Sequence, residues 1–118
     1  MPTVPREITI LSPAELDALD LAVAARSVDE SFGVREIDGG DALQVFGTSG
    51  ASVLTVYGAR RLDVEGEVER LLPDPPTVQL PVFWIDAVAP LDESGEEGVG
   101  VALRLALALD ATCIVEDD

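Results

Sequence analysis

Residues 99–115 read VGVALRLALALDATCIV, and whether this run is helix or strand decides the fold. Taken literally it alternates. Val99, Val101, Leu103, Leu105, Leu107 and Leu109 fall on one side and Gly100, Ala102, Arg104, Ala106, Ala108 and Asp110 on the other, a period of two that suits a strand. The residue types argue otherwise. Leucine and alanine are strong helix formers and lack the β-branching that favours a pleated surface, and a strand of this length would be about twice the usual five or six residues. Wound as a helix, Val99, Leu103 and Leu107 form one row and Val101, Leu105 and Leu109 another, a broad apolar side with alanines filling much of the rest. The sequence therefore predicts a helix from Glu96 to Asp110, then a last strand over TCIVE. A helix apolar nearly all round needs cover on most sides. In so small a domain part of that cover is expected from a second copy, with Leu103, Leu105 and Leu107 as self-association candidates and a two-fold homodimer as the expected form.

Working outward, REITIL reads as a first strand with Ile8 and Ile10 on one face. In SPAELDALDLAVAARSV, Ser12 is a good N-cap, Pro13 suits the first helical position and Glu15 completes an S-x-x-E capping box, which predicts a helix over 13–28 with Leu16, Leu19 and Val23 on its buried face. Three β-like runs follow, VREI, ALQVFG and ASVLTVYG, separated by glycine-bearing turns, as in an antiparallel meander. RRLDVEGEVERLLPDPP predicts a shorter helix over 64–72, with Val64, Val68, Leu71 and Leu72 on one side and Pro73, Pro75 and Pro76 ending it. Val82 to Ile85 is apolar on both faces, as expected of a central strand covered on both sides, with Pro81 marking its start or a bulge. The order β-α-β-β-β-α-β-α-β implies an α+β sandwich over residues 1–118, a single domain with a mostly antiparallel sheet and helices on one face.

Charge narrows the chemistry further. The 118 residues hold 23 Asp and Glu against seven Arg, with no Lys and no His, for a net charge of −16. The excess is uneven: residues 1–61 hold nine carboxylates and five arginines, residues 62–118 fourteen and two. Such a surface repels nucleic-acid phosphates and anionic lipid and attracts a basic partner. Run 99–115 is at the short limit for a membrane span and would place Arg104 and Asp110 in hydrocarbon, so no membrane association is expected. No basic-then-apolar leader is evident and the single cysteine, Cys113, allows no intrachain disulfide; a cytoplasmic location is expected.

Missing residue types exclude whole designs. Without His there is no Ser-His-Asp or Cys-His arrangement, and without Lys no Schiff base or P-loop. One cysteine without histidine does not make a zinc site. Cys113 lies in an apolar run with no neighbouring cation to activate it. The glycines of EGVGVALR do not complete a dinucleotide loop, because Leu103 occupies the third position. No cofactor, metal or catalytic residue is expected. The acidic loop before the long helix, Asp92, Glu93, Glu96 and Glu97, supplies candidate partner-binding residues. Asp86, on the same strand face as Trp84, and the doublet Arg60 and Arg61 are candidates for a pocket. The expected function is a non-catalytic interaction protein whose acidic C-terminal half docks a basic protein surface, as a toxin-neutralising immunity protein or a nucleic-acid-mimicking inhibitor would. The alternative is a small-ligand-binding or enzymatic domain with a pocket near Asp86, Arg60 and Arg61.

Overall fold

The structure, a computed structural model, describes residues 6–72, 76 and 79–116, without the side chains of Glu93 and Ser94. Run 99–115 divides as expected, though the helix starts three residues early: α3 spans Glu93–Leu109 and β7 spans Thr112–Glu116. Asp110 closes α3 in the left-handed conformation (φ 54°), and the Ala111 amide donates to the Ala106 carbonyl at 2.8 Å. This backward bond lets the chain reverse directly into a strand.

The remaining elements are β1 (Arg6–Ser12), α1 (Ala18–Val28), β2 (Gly33–Ile37), β3 (Ala42–Phe46), β4 (Ser52–Tyr57), β5 (Arg60–Leu62), α2 (Glu67–Leu71) and β6 (Val82–Ala89). Among the described residues seven strands form one antiparallel sheet, six of them in the order β2-β3-β4-β6-β1-β7. The short β5, which the sequence reading did not foresee, pairs with the start of β6, Arg60 opposite Trp84 and Leu62 opposite Val82. β4 takes the same edge of β6 further along, at Val88 and Ala87. The chain is an α+β domain as expected.

Strand alternation then builds two cores. Ile8 and Ile10 of β1, Ile85 and Ala87 of β6, and Leu54 and Val56 of β4 point to the face covered by α1 and α3. Leu11, Val82 and Trp84 point to the opposite face, where Val68 of α2 and Leu72 cover them. The two long helices share one face, and α2 packs on the other. β6 is thereby covered on both faces over Val82 to Ile85, which is why that run is apolar throughout. A cis Leu80–Pro81 peptide bond precedes it.

Glycines set how closely α3 lies on the sheet. A Cβ on Gly98 would overlap the Val53 carbonyl oxygen, and one on Gly95 the Pro90 carbonyl oxygen. The helix rests backbone to backbone at these points, which no other residue permits.

The predicted starts of α1 and α2 move as well. Ser12 is buried at the end of β1, where its hydroxyl bonds the Ala14 backbone, so the capping box is not made. Asp17 is the N-cap instead, accepting from the Asp20 amide at 2.8 Å. α1 buries Leu21, Ala24 and Ala25 rather than Leu19 and Val23, and Leu16 is half-buried. Its alanine side brings the backbone close to the sheet and to α3, and the bulkier stripe is left outside. α2 begins at Glu67 because Gly66 adopts φ 91° before it, leaving Val64 exposed with Leu71. Pro73 and Pro75 lie outside the described residues. None of the described helices is long and apolar enough to cross a membrane.

Candidate partner interface

The four pocket candidates only partly converge. Trp84 and Asp86 share a face of β6, two residues apart, and the indole Nε1–H donates to Asp86 Oδ1 at 2.8 Å. Arg60 on the neighbouring β5 lies over the Trp84 ring at 5.7 Å, with Nη2 3.9 Å from Asp86 Oδ2. Alternation turns Arg61 away, toward Asp63 at 4.0 Å. Asp86 and Arg60 are both more than half exposed, so this is an open cluster in which each polar group already has its partner. Such an arrangement holds Trp84 against the second core.

The acidic candidates divide by role. Asp92 caps α3, its Oδ1 accepting from the Gly95 amide at 3.0 Å, where a carboxylate also favours the helix dipole. Glu96 lies 3.8 Å from Arg6 and stays exposed, as does Glu97. The side chain of Glu93 lies outside the described residues. Of the three self-association candidates, Leu105 is 0% exposed and belongs to the monomer's core, whereas Leu103 and Leu107 are on the surface. Helical geometry is the reason: Leu105 lies about 200° of rotation from Leu103 and from Leu107, so it cannot share their side.

Sequence reasoning missed a cleft beside α2. Val64, Glu65, Gly66, Val68, Glu69, Gln79 and Leu80 line about 700 Å³ of open groove. Two carboxylates stand there with Val64, Val68 and Leu80, and no cation is among the described lining residues. The available cue is the carboxylate at every second position from Asp63 to Glu69, which a helix over 64–72 would spread around its circumference. Gly66 breaks that helix and puts Glu65 in the groove. A smaller cleft of about 240 Å³ lies between the start of α1 and the β3–β4 end of the sheet, lined in part by Leu16, Glu36, Asp41 and Tyr57.

Burial pushes the Cys113 thiol up from its ordinary pKa, the opposite of what a nucleophile or metal ligand requires. Asp29 is held below the usual carboxylate range by hydrogen bonds from the Ser31 hydroxyl and amide, a local turn on the surface. Among the described residues no three acidic or thiol side chains are placed to hold a metal ion. Compared with protein-family models, curated proteins and solved structures, the chain finds no match, and its function has to be argued from its own residues.

Proposed function

We propose that the protein is a non-catalytic interaction protein whose acidic C-terminal half docks a basic surface of another protein. The observation that carries the reading is the cleft beside α2, where Glu65 and Glu69 stand among Val64, Val68 and Leu80. A long cationic side chain matches that lining: its methylene stem lies on the apolar residues and its charge meets the two carboxylates. Net charge supplies the rest. With 23 acidic side chains against seven arginines, most carboxylates have no cation of their own, and the field raises the encounter rate with a basic partner. The exposed Glu96 and Glu97 at the start of α3 add to the same half.

The test is capture from a lysate of the source organism on the immobilised chain, at about 0.05 M and about 0.5 M NaCl, where screening lengths differ several-fold. A basic protein retained at low salt and released at high salt is expected, and the Glu65→Lys/Glu69→Lys variant should retain none of it. Retention by that variant equal to the wild type would remove the cleft from the reading, and no basic protein at low salt would remove the reading itself.

A further inference from the structure

The two sides of α3 differ. Val101, Ala102, Leu105 and Ala106 are buried, yet Leu103 is 46% and Leu107 81% exposed. The apolar surface continues onto α1. Because β1 and β6 are antiparallel and each is followed by a helix returning along the sheet, α1 and α3 run antiparallel. The Val28 side chain at the end of α1 lies 3.8 Å from the place a Cβ would occupy on Gly100. From there α1 runs back beside the C-terminal half of α3 and carries Leu19 (71% exposed) and Val23 (62%) on the same outer layer. Large apolar side chains grouped in this way mark an interaction surface, where single ones would need no explanation.

The charges of this layer indicate the occupant. Arg26 and Arg104 have no carboxylate within ion-pair distance among the described residues, in a chain with more than three acids for every arginine. The N-terminal half of α3 carries the exposed Glu96 and Glu97, so the layer holds both signs, carboxylates at one end and Arg104 toward the other. The fitting surface is apolar and carries carboxylates, and α3 is itself such a surface. Glu97 precedes Arg104 by one heptad, so both stand on the same flank of the helix. In an antiparallel pair related by a two-fold axis, equal flanks meet. An axis passing between Gly100 and Val101 sets Glu97 of each copy opposite Arg104 of the other. Gly100, which has no side chain, falls at the crossing, where the two backbones come closest.

We propose that two copies pair through this helix layer, α3 antiparallel on α3 about Gly100, with Leu103 and Leu107 packed on the stem of the other copy's Glu96, one heptad before Leu103, and with two reciprocal Glu97–Arg104 ion pairs at the flank. The dimer takes up Glu97, which the basic-partner reading also uses, but the cleft beside α2 that carries that reading lies on the other face of the sheet and stays open. The experiment is sedimentation equilibrium of the full chain at concentrations up to about 0.5 mM, at about 0.05 M and about 0.5 M NaCl. A monomer–dimer equilibrium is expected, tighter at high salt as the net charge of −16 on each copy is screened. Leu107→Glu should weaken it about tenfold or more with an unchanged circular dichroism spectrum, since Leu107 is not needed for folding. Glu97→Arg lowers the net charge and would strengthen an association governed by repulsion alone; the ion pair requires it to weaken. Glu97→Arg/Arg104→Glu keeps the net charge, exchanges both ends of the pair and should restore the wild-type constant. A wild type that stays monomeric throughout, a dimer insensitive to Leu107→Glu, or a double variant no tighter than the single one would each overturn the proposal.

Discussion

Gly98 stands where α3 crosses β4, and its missing side chain is what lets the helix backbone rest on the Val53 carbonyl. The neighbour is main chain in the middle of a sheet and cannot give way, so Gly98→Ala is expected to destabilise by about 3 kcal/mol or more despite alanine's higher helix propensity. Gly100, whose added methyl would meet only ordinary contact with Val28 at 3.8 Å, is the control: alanine there should stabilise by up to about 1 kcal/mol. Chemical denaturation of the two variants checks both signs. Cys113 shows the same local logic in its ionisation. Burial raises its pKa, so the native state holds the thiol proton more tightly than the unfolded chain does. Its contribution is therefore constant below the ordinary thiol pKa and is lost as pH rises from there through the raised native value. Labelling by a thiol reagent near pH 8 should be slow in the native protein and reach the free-thiol rate in denaturant; rapid native labelling would place the thiol in solvent.

At the level of elements, the sequence was most legible where pattern and residue type agreed. The strands over REITIL, VREI, ALQVFG, ASVLTVYG and TCIVE stand where alternation puts them, and α3 follows from leucine and alanine chemistry against a literal period of two. The errors came where one sequence satisfied two physical rules. α1 has two apolar sides, Leu16–Leu19–Val23 and Leu21–Ala24–Ala25, and only tertiary packing favours the smaller one. Ser12 fits an N-cap by spacing but is consumed by the end of β1, leaving Asp17 to start the helix. β5 is three residues long, too short for periodicity to register. The candidate site was legible only in its charge: the acidic half was plain, while the cleft depended on a left-handed Gly66 that a helical reading overlooked. α2 is correspondingly weak, five residues with no side-chain cap, held mainly by Val68 and Leu72. Hydrogen exchange should find its amides opening far more readily than those of the core-facing turns of α3; equal protection would mean that α2 opens only with the whole fold.

For the whole molecule, two quantities compete, a well-filled pair of cores and a net charge of −16 confined to a small domain. Self-repulsion is greater in the compact state than in the expanded chain, so the thermal midpoint should rise as NaCl goes from about 0.02 M to about 0.5 M. A midpoint indifferent to salt would show the carboxylates to be compensated locally. Everything else rests on residues 99–115, because the helix there covers the sheet, delivers β7 to its edge and leaves an apolar side outward. The most direct test compares Leu105→Ala with Leu107→Ala by equilibrium denaturation at micromolar concentration, low enough to follow the monomer. As a strand, the two leucines would share a face and cost alike. As the helix described, Leu105 is 0% and Leu107 81% exposed, so the first should cost about 2–5 kcal/mol and the second no more than about 0.5 kcal/mol. Equal losses at the two positions would contradict the fold and, with it, the interface built on its outer side.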